Sequence, residues 1–284
     1  MKTQTAEQMG VCSWSLRATG PQDLAEKVAA LGLKNVQLGL TPHRDDPGAW
    51  EGVQEVLAAS GIRIVSGMFS TRGEDYTTPE TIRRTGGVVL DEYWEENLEM
   101  AQDAAALARV MGLQWVSAHA GFLPHDPNDP DFDKLSARVA QLAAIFAANG
   151  VEMLLETGQE TAETLLAFLD EMKRRGAGNV GVNFDPANMI LYDMDDPIQA
   201  LRMLAPHVRQ VHVKDAKRTT VKGQWGEEVV VGTGEVDWDA FVRILADADF
   251  DGYYIFEREA GPDRIGDITR GIAALRAAMT ALIS

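Results

Sequence analysis

VEMLLETGQE (151–160) and NVGVNFDPANM (179–189) decide how this chain folds. Each opens with a short apolar, β-prone run that ends on one carboxylate, Glu156 or Asp185, and each leads through a loop into a stretch of helical periodicity. The pattern returns twice more, in VRQVHVKD (208–215) with His212 and in GYYIFE (252–257) with Glu257. Runs this continuously apolar suit strands covered on both faces, as in a parallel sheet flanked by helices.

Working outward, the same alternation covers the chain. Strands are expected at residues 10–16, 35–40, 63–69, 114–119, 151–156, 179–184, 208–214 and 253–257. Helices are expected near 21–31, 49–60, 92–111, 132–148, 162–175, 197–205, 238–248 and 265–283, and 70–89 reads as a long polar connection. Eight βα units with right-handed crossovers close into a (β/α)8 TIM barrel, an α/β fold that carries its chemistry at the carboxyl ends of the strands. The rival, an open doubly wound sheet, lacks a Gly-rich dinucleotide loop after its first strand. The domain reading is a polar lead-in over 1–9 and a single barrel domain over 10–284.

Composition narrows the function. The 284 residues carry 26 basic and 43 acidic side chains, a net charge of −17, which disfavours a nucleic-acid partner. The lone cysteine, Cys12, excludes an intramolecular disulfide and a thiolate metal cluster, and it reads as a buried, inert thiol. No run reaches the ~18 apolar residues of a membrane span, and MKTQTAEQMG lacks an apolar signal core. A cytoplasmic protein without a membrane partner is expected, and a homo-oligomer is compatible with the fold.

In a barrel, Glu156, Asp185, His212 and Glu257 converge on one mouth. Alone, each has a plain alternative: a solvated loop carboxylate, a cap before Pro186, a core histidine, an ion pair with Arg258 or Arg264. Together, three carboxylates and an imidazole make an oxygen-rich site for one divalent cation, with Mn, Mg or Co favoured and Zn the alternative. Two open positions on an octahedral ion suit a substrate with adjacent carbonyl and hydroxyl oxygens. Glu156 and Glu257 are the candidate catalytic acid/base pair, facing a sugar from opposite sides of the mouth.

These residues, with LLETGQE, NFDPANM, HVKD, VGTGEVDW (231–238) and IFEREAG (255–261), resemble the xylose isomerase-like TIM barrels, the sugar phosphate isomerase/epimerase group, over essentially the whole chain. The resemblance implies the same ligand set and the same two glutamates as acid/base. It implies a small carbohydrate substrate and proton transfer through a metal-bound enediolate, with isomerisation or epimerisation as the outcome. A lyase or dehydratase acting on an inosose or keto sugar is the alternative, and a non-catalytic sugar-binding barrel a third. The group's endonuclease IV-like members place a histidine where Asn188 stands and add an Asp-x-His pair absent from 216–235, so a nuclease is not expected.

Further residues are read as substrate contacts. His119 ends VSAHAG at the mouth. Lys214 shares a face with His212 and binds either a substrate oxygen or a neighbour such as Asp215. Asn188 and Gln159 lie in adjoining loops. Asp237 is expected to cap the helix at 238. Trp14 and Trp225 are read as packing residues or walls over a sugar. Within KRTTVKGQWGEE (217–228), a lid-like loop, Lys217, Arg218 and Lys222 are the candidate phosphate contacts.

Overall fold

In the computed structural model, which describes residues 6–282, parallel strands close into a ring. In chain order the strands are β1 (Met9–Cys12), β2 (Asn35–Gly39), β3 (Arg63–Met68), β4 (Trp115–Ala118), β5 (Glu152–Glu156), β6 (Val180–Phe184), β7 (Val208–Val213), β8 (Asp215–Lys217), β9 (Glu227–Val229) and β10 (Tyr253–Phe256). Round the ring they run β1-β10-β7-β6-β5-β4-β3-β2, while β8 and β9 form a separate antiparallel pair. The expected (β/α)8 TIM barrel is therefore the observed fold.

The helices are α1 (Pro21–Ala30), α2 (Thr41–Asp45), α3 (Val53–Ala59), α4 (Pro79–Thr85), α5 (Trp94–Met111), α6 (Pro130–Ala148), α7 (Ala162–Arg174), α8 (Pro186–Leu191), α9 (Pro197–Leu204), α10 (Trp238–Asp247) and α11 (Arg264–Ala281). Their apolar stripes seal the outer face of the barrel. Phe146 of α6 and Phe168 of α7 are wholly buried, as is Phe241 of α10 against Phe184 of β6. Each such ring removed from water contributes roughly 1.5–3 kcal/mol.

Several boundaries differ from expectation, each for a local reason. The first strand includes Met9, which pairs with Tyr254, and ends at Cys12, after which Trp14–Leu16 turn into a 3-10 helix. The expected lead-in therefore gives Met9 to the barrel and Ala6–Gln8 to a 3-10 turn, and residues 1–5 lie outside the described residues. The polar connection 70–89 contains α4, started by a Thr78–Thr81 capping box with Pro79 in its first turn. Asp185 starts α8 directly after β6. The loop after β7 is partly the β8–β9 hairpin.

Ladder register slips by one residue at Val36/Gln37 on the β2–β3 edge and at Val182/Asn183 on the β6–β7 edge. Such irregularities re-aim side chains, and both fall beside polar residues inside the barrel. No helix among the described residues is long and apolar enough to cross a membrane.

Candidate metal centre

The four candidate ligands come from four neighbouring strands: Glu156 ends β5, Asp185 follows β6, His212 lies on β7, and Glu257 follows β10. Parallel neighbours in register deliver their carboxyl ends to one level, so residues far apart in sequence meet. His212 Nδ1 lies 3.2 Å from Glu257 Oε2, 3.5 Å from Glu156 Oε1 and 3.6 Å from Asp185 Oδ2. One ligand atom from each of the four lies within 4.8 Å of the others. The two glutamates stand three strands apart rather than diametrically opposed. They face each other from the ends of an arc, and the opposite side of the mouth falls to β1–β4.

The donor set fits a divalent cation. Donors at about 2.1 Å from an ion lie roughly 3–3.4 Å from one another, near the spacings observed here. Two atoms of the set, Asp185 Oδ2 and His212 Nδ1, are buried and make no well-aligned hydrogen bond; their polar neighbours are the ion-pair contacts within the cluster, at 3.2–3.9 Å. Asp185 shows why. Its Oδ1 caps α8, accepting from Ala187 N–H (2.8 Å) and Asn188 N–H (3.1 Å), which leaves Oδ2 turned to the cluster. The cap and a place in the cluster, alternatives from sequence, coexist on one carboxylate.

Burial and charge oppose each other throughout the site. Burial alone would push the His212 imidazole down, but Glu156 and Glu257 hold it well above its usual range. Burial likewise opposes the charge on Lys214, which Glu257 and Glu259 more than restore. Glu257 is raised by burial and lowered further by Lys214 and His212, so it sits well below the usual carboxylate range. Asp185 goes the other way: burial, only partly offset by Lys214, pushes it up to about 6. In the metal-free chain, cationic side chains do the neutralising that an ion would do.

Lys214 Nζ donates to Glu257 Oε2 (3.0 Å) and Glu259 Oε2 (2.9 Å), and lies 3.4 Å from Asn188 Oδ1. Asp215 is not its partner. That carboxylate instead accepts from the N–H groups of Gly232, Gly234 and Val236 and from Trp238 Nε1 at 2.8–3.2 Å, so it moulds VGTGEVDW. Asp237 caps α10 through Ala240 N–H, as expected. Glu257 pairs with Lys214 rather than with Arg258, which is held by Glu228 and Asp267, or with Arg264, which donates to the Trp14 carbonyl.

His119 Nε2 lies 4.0 Å from Glu156 Oε1. Asn188 Nδ2 donates to Glu156 Oε1 at 3.0 Å. Gln159 is buried, donates to Tyr192 Oη at 3.4 Å and leaves its own oxygen unpartnered. It borders a cavity of about 330 Å³ shared with Arg83, Phe122, Tyr192 and Lys222. Of the candidate phosphate contacts, Arg218 is held by Asp193 and the Asp195 carbonyl. Trp225 packs edge-on to Tyr192, and the Trp14 indole N–H donates to Glu257 Oε1 at 2.7 Å. Sequence carried no signal for that bond, because it joins the turn after the first barrel strand to the residue after the last.

A family model described as xylose isomerase-like TIM barrel matches residues 25–278. The inosose dehydratase of Clostridium perfringens is 22% identical over 148 residues, 48% of this chain and 50% of that protein, so the chain spans about half the length of that relative. Inosose dehydratase 1 of Bacillus cereus is 22% identical over 232 residues, 74% of each chain. Among solved structures, a xylose isomerase domain protein from Planctomyces limnophilus is similar with a TM-score of 0.84 and 30% identity, covering 96% of this chain and 97% of that one.

Proposed function

We propose a function from this site and from the kinship of the chain, which belongs to the xylose isomerase-like TIM barrel family: isomerisation or epimerisation of a small carbohydrate, by proton transfer beside its carbonyl and through an enediolate. The observation that carries the reading is the compact, buried set of four ligand atoms, one each from Glu156, Asp185, His212 and Glu257, all within 4.8 Å of one another. A divalent cation held by Glu156, Asp185, His212 and Glu257 would supply fixed positive charge for adjacent carbonyl and hydroxyl oxygens. The barrel is read as one domain, 10–284, to whose first strand Met9 is added.

The two glutamates are not equivalent. Glu156 is hydrogen-bonded by neutral amides, Asn188 at 3.0 Å and Asn183 at 3.4 Å, and shares His212 with Glu257. Glu257 has the Lys214 ammonium at 3.0 Å and the Trp14 indole at 2.7 Å. A carboxylate held by a full positive charge is the poorer proton acceptor. Glu156 therefore takes the proton from the substrate carbon, and Glu257 serves the other face. Return of a proton to the neighbouring carbon gives isomerisation, and return to the opposite face gives epimerisation. Lys214 stays cationic and offsets charge developing on oxygen, while His119, Asn188 and Gln159 hold hydroxyl groups.

The similarity to inosose dehydratases favours a second reading, a lyase, in which the same enediolate expels a β-hydroxyl. Product mass separates the two, because isomers keep the mass of the substrate and dehydration removes one water. The first step is tested in D₂O with Mn²⁺ present. Glu156→Gln and Glu257→Gln are each expected to slow substrate hydrogen exchange at least ~100-fold while keeping the circular dichroism of the parent. Unchanged exchange in both variants refutes the acid/base assignment.

A further inference from the structure

We infer that Gln37, on β2, is a positioning residue that holds the His212 imidazole in the tautomer presenting a bare Nδ1 to the cation; this rests on the metal reading above. A backbone carbonyl can only accept a hydrogen bond. Gln37 Nε2 lies 3.3 Å from Gly67 O and 2.6 Å from Ser117 Oγ. The Ser117 hydroxyl has Gly67 O (3.3 Å) and Met68 Sδ (3.0 Å) to donate to, so it accepts from Gln37. The amide nitrogen of Gln37 is thereby fixed on the Ser117 side, and its oxygen on the other.

That oxygen lies 2.7 Å from His212 Nε2. Two acceptors do not approach so closely, so a hydrogen sits between them, on Nε2. With that N–H anchored on Nε2, Nδ1 faces the oxygens of Glu156, Asp185 and Glu257, and it is the nitrogen whose proton an entering ion displaces. Asn183 Nδ2 also lies 3.0 Å from Nε2, but it is a donor, because Asn183 Oδ1 accepts from Gln210 Nε2 and Gln210 Oε1 in turn accepts from Ser66. Its outlet is Glu156 Oε2, at 3.4 Å. Gln37 and Asn183 both sit at the register slips noted above. Gln37, Ser117 and His212 are wholly buried, so the order of donors is built from the protein itself.

Without the Gln37 acceptor, the one hydrogen that the neutral ring keeps is drawn to Nδ1, where three carboxylates would receive it, and it then occupies the position an ion needs. Outer partners of this kind change metal affinity about 10–100-fold. The test is a Co²⁺ titration of metal-free protein, read by visible absorption. Gln37→Leu is expected to fold with a lowered melting temperature and to bind about 10–100-fold more weakly, and Gln37→Glu, which restores an acceptor, to recover affinity. A folded Gln37→Leu that binds like the parent overturns the inference, as does a Gln37→Glu no better than Gln37→Leu. Should Gln37→Leu fail to fold, Ser117→Ala carries the test: releasing the amide should weaken binding several-fold, and parental affinity there overturns it. The metal reading fails separately, if the parent takes up no Co²⁺ or if His212→Gln takes it up equally well.

Discussion

Asp185 condenses what single residues do in this protein. One oxygen caps α8 and the other joins the cluster. Substitutions can separate the two. Asp185→Asn and Asp185→Ala both remove the charge, but only the amide keeps a cap. Chemical denaturation without metal should find the alanine variant about 1 kcal/mol less stable than the asparagine variant, with metal binding impaired in both. Glu160 makes a second case. It is buried, its Oε1 has no partner, and burial pushes its carboxyl from 4.5 up to about 8. A folded-state value above the unfolded one contributes stability that is full below about pH 4.5 and lost as pH rises through about 8. Glu160→Gln is therefore expected to melt progressively higher than the parent between pH 5 and pH 9, measured as paired thermal scans. Parallel melting curves for the two proteins across that range would refute the assignment.

Among elements, the β8–β9 hairpin and the loop after it frame the mouth, and Asp215 holds them. It gathers N–H groups spread from Gly232 to Trp238. Hydrogen bonds to a charged group contribute about 1.5–3 kcal/mol each. Asp215→Ala should cost at least ~3 kcal/mol by denaturation and expose 217–237 to limited proteolysis, and a parental proteolysis pattern would count against this role. Across the mouth, Gly87 (φ 60°) packs so tightly on Ala120 that a Cβ there would fall 2.2 Å from the Ala120 carbonyl carbon. The loop carrying α4 is thereby fixed against the end of β4. The capping pattern of α4, Thr78-Pro79 with Thr81, was legible in the sequence, yet the segment reads as loop because its helix is short and mostly polar. Helix α8 was hidden for another reason: it begins on the residue that ends the strand run, so a single aspartate marks both.

For the whole molecule, the chain carries a net charge of −17 and gathers three carboxylates in its interior end. A cation binding only the folded state stabilises it by mass action, about 2.7 kcal/mol at a hundred times its dissociation constant. Removal by a chelator should lower the melting temperature, and re-addition of Mn²⁺ or Mg²⁺ should restore it. Because His212 is held well above its usual range in the metal-free chain, an entering ion must displace a proton. Metal affinity is accordingly expected to rise from pH 6 to pH 8, with proton release seen as a buffer-dependent heat in titration calorimetry. A pH-independent affinity would mean that His212 is not a ligand.

The sequence by itself determined the class of fold and the identity of the four clustered residues. Eight apolar runs alternating with helical stretches admit few closed arrangements, and a polar side chain at the end of such a run has nowhere to go but the mouth of the barrel. The partners of those residues were decided only by the tertiary structure. Trp14 on Glu257, Gln37 on His212, and Lys214 on Glu257 and Glu259 each join strands distant in the chain. Strand periodicity states which face a side chain takes, but not which neighbour it meets there, because register slips and barrel closure set that final few ångströms.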